Sequence, residues 1–186
     1  MLEGRLVRLR ATEPADRERV HSWVNDSEVT RYLTMRYPSA ADDWVWLADG
    51  PPNGFGFVRL AIETKDGLHI GAVNLHQTNA EDRSAGLGII VGAKEHWDRG
   101  YGVDAIVTLL GFAFGEMNLH RVWLTVIDEQ ERGIACYLTC GFREEARLRQ
   151  DVYRHGRYHD FVVMGILRAE FEALHGAAHA EGGDDA

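Results

Sequence analysis

Long apolar runs, cysteine and basic charge are all scarce in this chain. No stretch approaches the roughly 20 consecutive apolar residues that a membrane span needs, so a membrane protein is not expected. The start, Met1-Leu2-Glu3-Gly4-Arg5, lacks the apolar core of a secretory signal, and a cytoplasmic location is the plain expectation. The 2 cysteines, Cys136 and Cys140, are too few for a disulfide framework and wrongly spaced for zinc. They read as small buried thiols, and no metal is expected. With a net charge of −9, the basic footprint that nucleic-acid binding requires is missing. An acidic surface would suit a cationic amine, and it would equally serve solubility alone. No internal repeat and no interdomain linker interrupts the sequence.

What is present fits one domain with a single core: 186 residues, 45% hydrophobic and 26% charged. Residues 1–172 read as that domain, and 173–186 as a disordered acidic tail. Leu6 to Arg10 alternates as a strand. Thr12-Glu13-Pro14 opens a helix to about Asn25, and Asp26 to Leu33 reads as a second, short helix. Ser39-Ala40-Ala41-Asp42 starts a third, carrying Trp44 and Trp46, which Gly50 to Gly54 breaks. Phe57–Thr64 and Leu68–Gln77 are strands joined through Lys65-Asp66-Gly67, and Ser84–Val91 follows as another. Phe142–Tyr153 and Tyr158–Leu167 pair around His155-Gly156. The pattern predicts a mixed α/β sheet with helices on both faces, not a regular doubly wound alternation.

The segment from Gly88 to Phe142 carries the chemistry. It reads strand (Gly88 to Val91), turn (Arg99-Gly100-Tyr101-Gly102), helix (Val103 to Met117), strand (Arg121 to Val126) and helix (Glu131 to Cys140). A helix starting at the glycines aims backbone N–H groups and the positive dipole end into the turn, where an anion is the natural occupant. Arg99 adds a cation. Gly-x-Gly without the Lys-Ser/Thr of a P-loop, and without dinucleotide-fingerprint spacing, argues against a nucleotide-binding protein of another fold.

The order Trp97-Asp98-Arg99-Gly100-Tyr101-Gly102, then Gln130-Glu131-Arg132-Gly133-Ile134-Ala135-Cys136-Tyr137, then Gly141-Phe142, resembles the GNAT superfamily of acyl-CoA-dependent N-acyltransferases. Within it the match is to the RimJ/RimL-type branch of ribosomal-protein N-terminal acetyltransferases. Leu6 to Arg10, Trp23-Val24-Asn25-Asp26 and Tyr153 to Tyr158 extend the resemblance up to about Phe171. It implies a mostly antiparallel central sheet whose fourth and fifth strands diverge around the pantetheine arm of acetyl-CoA. It also implies that Arg99, Gly100, Tyr101 and Gly102 cradle the pyrophosphate. Ile89, Ile90 and Val91 would pair with the arm through their backbone, Gln130 would hold the arm by its amide, and Tyr137 would donate a proton to the departing thiol. Trp97 stands where the family usually has Gln or Arg, and Gln130 where it usually has Asn. Arg132 could reach a phosphate or simply be solvated. Asn25-Asp26, Arg31-Tyr32 and the two tryptophans would rim the acceptor side.

The general base is not assignable from sequence. Where many relatives carry a strand-four Glu, this chain has Gly86; Asp128 and Glu129 are possible substitutes. The expected partners are acetyl-CoA and an amine acceptor, with a homodimer possible. A small amine is preferred over a protein N-terminus. The alternative is a module that binds acyl-CoA without catalysis.

Overall fold

The computed structural model describes residues 1–33, 37–40 and 52–179. Eight strands form one sheet: β1 (Leu2–Glu3), β2 (Val7–Ala11), β3 (Val58–Thr64), β4 (His69–Asn79), β5 (Ser84–Val91), β6 (Arg121–Ile127), β7 (Arg143–Arg154) and β8 (Arg157–Leu167). Their order is β1-β2-β3-β4-β5-β6-β8-β7. Every pairing is antiparallel except β5 with β6. The mixed α/β class and the largely antiparallel sheet are as the sequence indicated. Among the described residues four α-helices accompany the sheet: α1 (Arg17–Val24), α2 (Tyr101–Gly115), α3 (Glu131–Cys140) and α4 (Arg168–His179).

The core lies between the sheet and α2. Ala105, Ile106, Leu109, Leu110 and Ala113 are fully buried at helical spacing. They join Val7, Leu9, Val73, Leu75, Ala85, Leu87 and Val122 in one apolar cluster. Burial of each large aliphatic side chain is worth about 1.5–3 kcal/mol. On α4, Phe171 packs against Phe114, ring centroids 5.3 Å apart.

Three expectations differ from the structure. The first helix is shorter, a single 3-10 turn at Pro14–Asp16 running into α1. Asp26 to Leu33 forms turns rather than a helix. The Asp26 carboxylate accepts the backbone N–H of Glu28 at 2.8 Å, and this local bond competes with helix continuation. The tail expected from residue 173 is instead helical through His179 in α4, where His175 Nε2 lies 3.1 Å from the Cys140 carbonyl oxygen. The third helix, with Trp44 and Trp46, falls outside the described residues, which resume at Pro52.

Candidate active site

β5 and β6 pair only through Ser84, Ala85 and Gly86 opposite Arg121, Val122 and Trp123. Beyond Gly86 the two strands part, leaving one edge of β5 open from Leu87 to Val91. Gly92 N donates to Ile70 O at 2.9 Å, so the Gly92 backbone faces β4. Backbone groups alternate sides along a strand, so Ile90 also faces β4 while Ile89 and Val91 face the opening. The Val91 carbonyl on that side accepts a 2.6 Å hydrogen bond from the Trp97 indole N–H. The N–H groups of Ile89 and Val91 therefore point away from β4, into the gap where β5 and β6 part.

The turn before α2 is built by positive φ angles at Asp98 (58°) and Gly100 (83°). Gly100 is the N-cap of α2, and Asp104 N closes the first helical bond to Gly100 O. The N–H groups of Tyr101, Gly102 and Val103 therefore form the open, positive end of the helix. Gly102 keeps this end clear; a Cβ there would touch Cys136 Sγ at 3.6 Å and Val91 Cγ2 at 3.8 Å. A contact not foreseen in the sequence anchors the helix start. The Asp104 carboxylate accepts the backbone N–H groups of Arg5, Leu6 and Val7 at 3.0, 2.7 and 2.9 Å.

A second helix start faces the same space. Gln130 is the N-cap of α3, and its side chain folds back over Gly133, where a Cβ would stand 2.9 Å from its amide carbon. Gly133 thus makes room for the longer side chain. Arg132 stacks its guanidinium 4.0 Å above the Trp97 ring and lies 3.6 Å from the Asp98 carboxylate. Trp97 therefore contributes a backbone clamp on Val91 and a platform for Arg132, a role its identity alone did not reveal.

Tyr137 sits on the inward face of α3. Gly141, with φ of 102°, ends that helix, and Phe142 N donates back to Tyr137 O at 3.0 Å. The Phe142 ring, fully buried, meets the Tyr137 ring edge-on at 6.1 Å. The Gly-Phe pair therefore fixes where the phenol points. Burial, with the neighbouring thiols of Cys136 and Cys140, pushes the Tyr137 phenol above its ordinary value, so it stays protonated at neutral pH. The Cys140 thiol is pushed up by its hydrogen bond to Cys136 and by burial.

These parts enclose a cavity of about 480 Å³. Ile89, Ile90, Val91, Gly100, Tyr101, Gly102, Gln130 and Tyr137 all line it, as do Trp97, Arg132, Glu28 and Tyr32. Arg99 does not; it is exposed outside the wall, and Arg132 is the guanidinium the structure brings in. Asn25 turns instead to the Ser39 backbone, donating to its carbonyl at 3.0 Å. Glu129 is committed to Arg157, with buried His159 3.6 Å away, and Asp128 lies 3.8 Å from Arg147. Neither carboxylate lines the cavity. Among the described residues no group of three His, Cys, Asp or Glu is placed to hold a metal ion, and no helix is long and apolar enough to cross a membrane.

Comparison with known proteins agrees with this geometry. Residues 6–143 match the acetyltransferase (GNAT) domain model. The spermidine N(1)-acetyltransferase of Vibrio cholerae is 30% identical over 163 residues, 88% of this chain and 94% of that protein. YdaF of Bacillus subtilis, provisionally named a ribosomal N-acetyltransferase, is 30% identical over 178 residues, 89% and 93% of the two chains. The crystal structure of the Vibrio cholerae spermidine N-acetyltransferase in complex with CoA and spermine superposes with a TM-score of 0.82 at 30% identity, covering 89% of this chain and 98% of the other. The open strand pair, the paired helix starts and the matched domain lead to one assignment: the chain belongs to the GNAT acetyltransferase family and is an acyltransferase.

Proposed function

We propose that this enzyme transfers an acetyl group from acetyl-CoA to the primary amine of a small acceptor, by direct attack in a ternary complex. The observation that carries this reading is the convergence on one cavity of two helix N-termini, the open edge of β5 and the Tyr137 phenol. The α2 start, with Gly100 and Gly102, suits a pyrophosphate, because its free N–H groups and dipole favour an anion. Arg132, held on Trp97, adds positive charge beside it. Ile89 and Val91 offer N–H groups to an extended amide-bearing arm, as an added strand would use them. One such N–H on the thioester oxygen is typically worth about 3–4 kcal/mol in the transition state.

As the amine nitrogen forms the new C–N bond, the C–S bond breaks and charge builds on sulfur. Tyr137 meets that charge. A free thiol titrates near 8.5 and a free phenol near 10, and burial widens the gap by raising the phenol. Tyr137 therefore acts chiefly as a hydrogen-bond donor in the transition state, with solvent completing the thiol.

A polyamine-like acceptor is favoured over a protein N-terminus. The Vibrio cholerae relative, named for spermidine, is crystallised with spermine, and the net charge here is −9. Glu28 lines the cavity, though Lys94 pairs with it and with Asp26 at 2.8 Å each. Calorimetric titration with acetyl-CoA tests the cosubstrate site, and Gly102→Glu is the informative variant. Its φ is ordinary and a Cβ has room, so the substitution puts an anion into the cradle of a folded protein. Binding by the parent, lost in G102E, with CoA release over an amine panel, is the expected result. No binding by the parent would overturn the reading. Binding without turnover would favour the non-catalytic module, for which Gly86 in place of a carboxylate is the specific support.

A further inference from the structure

Gly86 ends the ladder that β5 shares with β6, opposite Trp123, and its cross-strand partner on β4 is His76. A Cβ on Gly86 would stand 2.4 Å from His76 Cε1 and 2.8 Å from Nδ1. The imidazole therefore covers bare backbone at the position where the family resemblance places a glutamate. Alternate residues share a face of a strand, so Gly86, Gly88 and Ile90 lie along one side of β5, and Ile90 belongs to the cavity wall. From β4, His76 leans over Gly86, and the Asn74 amide lies 3.0 Å from where a Gly88 Cβ would be. Neither His76 nor Asn74 lines that cavity; both cover glycine backbone on the face of β5 that Ile90 shares. The Trp123 ring stands edge-on to His76 at 6.0 Å.

His76 is half-buried, yet among the described residues neither ring nitrogen has a hydrogen-bond partner, and neither is sealed from water. Burial holds the ring below its ordinary value, so it is neutral at pH 7 and able to accept a proton. The charged side chains sharing this face on the flanking strands include Arg59 of β3, opposite Asn74, Glu63 of β3, paired with Arg10 at 2.6 Å, and Arg121 of β6, which pairs with Glu145 of β7 over Gly165.

We propose that His76 is the general base, taking the proton from the attacking amine directly or through one water. The inference rests on the acetyltransferase reading above. Starting from the neutral amine, the nitrogen lone pair forms the C–N bond and the C–S electrons leave with sulfur. One proton passes from nitrogen to His76 and one reaches sulfur from Tyr137 or solvent. An ammonium substrate first gives one further proton to bulk water. Asp128 and Glu129, the carboxylates that follow β6, are held by Arg147 and Arg157 instead.

The test compares the parent with His76→Gln in acetyl-CoA titration and in kcat and kcat/KM against pH. The expected result is acetyl-CoA affinity within about twofold of the parent and kcat lower by about 100-fold or more. The acid limb of the parent kcat/KM profile should lose its His76 step in H76Q, its limiting slope falling from about two to about one while the ionisation of the amine substrate remains. A measurement on the unmodified protein guards against a variant that misfolds: the lower break of the acid limb must coincide with the His76 ring titration followed by NMR. Parent turnover with H76Q unchanged within about threefold, or an acid limb that ignores the His76 titration, would overturn the role of His76 while leaving the acetyltransferase reading intact. Failure of the parent to acetylate any amine would overturn both.

Discussion

Replacing Asp104 with Ala should destabilise the fold and loosen the proposed cosubstrate cradle together. The carboxylate stands in the first turn of α2 and accepts three backbone N–H groups from the turn between β1 and β2. Arg5 is exposed and can turn to water, so its loss costs little. Leu6 is partly buried and Val7 fully buried, so their N–H groups would be stranded. Each stranded donor costs about 1–3 kcal/mol, giving a loss of about 2–6 kcal/mol in all. For a domain of this size that is a fall in Tm of about 5–20 °C. Asp104→Asn keeps one acceptor oxygen and should recover part of the loss. Gly4 offers an independent handle, since a Cβ there would stand 2.6 Å from Asp104 Oδ2 and 2.5 Å from Thr108 Oγ1. Gly4→Ala should therefore push in the same direction. Calorimetric melting with and without acetyl-CoA is the assay. A loss below about 1 kcal/mol in D104A would refute the claim that this carboxylate holds the helix start in place.

Tyr137→Phe should lower kcat by about 100-fold with acetyl-CoA affinity nearly unchanged, because only the transition-state donor is removed; unchanged turnover in steady-state assays would remove Tyr137 from the chemistry. Trp97→Ala gives up the 2.6 Å bond to Val91 and the platform under Arg132. About 1–2 kcal/mol should be lost, read by calorimetry as an acetyl-CoA Kd weaker by about 5- to 30-fold. Asp16 governs part of the acid stability. Burial opposes its ionisation, but the Arg10 guanidinium at 2.8 Å and the Glu13 N–H outweigh it, and the carboxyl is more acidic folded than unfolded. Its contribution is full above the unfolded value near 3.9 and fades as pH falls through the folded value. Asp16→Asn should thus be less stable at pH 7 and show a flatter acid limb in urea melts.

The parts of the site that were legible in the sequence are those made by backbone. Gly100 and Gly102 announce a helix start with open N–H groups, and the apolar run from Ile89 to Val91 announces a buried strand. Side-chain roles were harder, because they depend on partners brought together from afar. Arg99 was expected as the cradle's cation by adjacency; it is exposed and does not line the cavity, while Arg132, on the next helix, lines it and stacks on Trp97. The Asp104 clamp joins residues nearly a hundred positions apart and leaves no local signal. Asp26 to Leu33 failed as a helix for a local reason, the Asx turn at Asp26, which its composition permits but does not impose.

The same distinction explains how this chain departs from its family's motif without losing its geometry. An N–H group serves whatever side chain its residue carries, so the cradle and the open edge of β5 survive substitution. A side-chain function depends on the space and partners that a second position provides, and three such pairs stand in this chain. Trp97 loses the family's polar contact but clamps Val91 and carries Arg132. Gln130 is longer than the usual Asn, and Gly133 vacates the space it folds into. Gly86 lacks a carboxylate, and His76 fills the space above it. In each pair one residue is meaningless without the other: adding a Cβ at Gly133 or Gly86 would drive a neighbour's polar group out of its place. Gly133→Ala and Gly86→Ala should therefore act through Gln130 and His76 rather than through the backbone. G133A is expected to weaken acetyl-CoA binding with kcat nearly kept, and G86A to lower kcat with binding nearly kept. Equal effects of the two variants on both parameters would show general loosening of the fold and contradict the pairing.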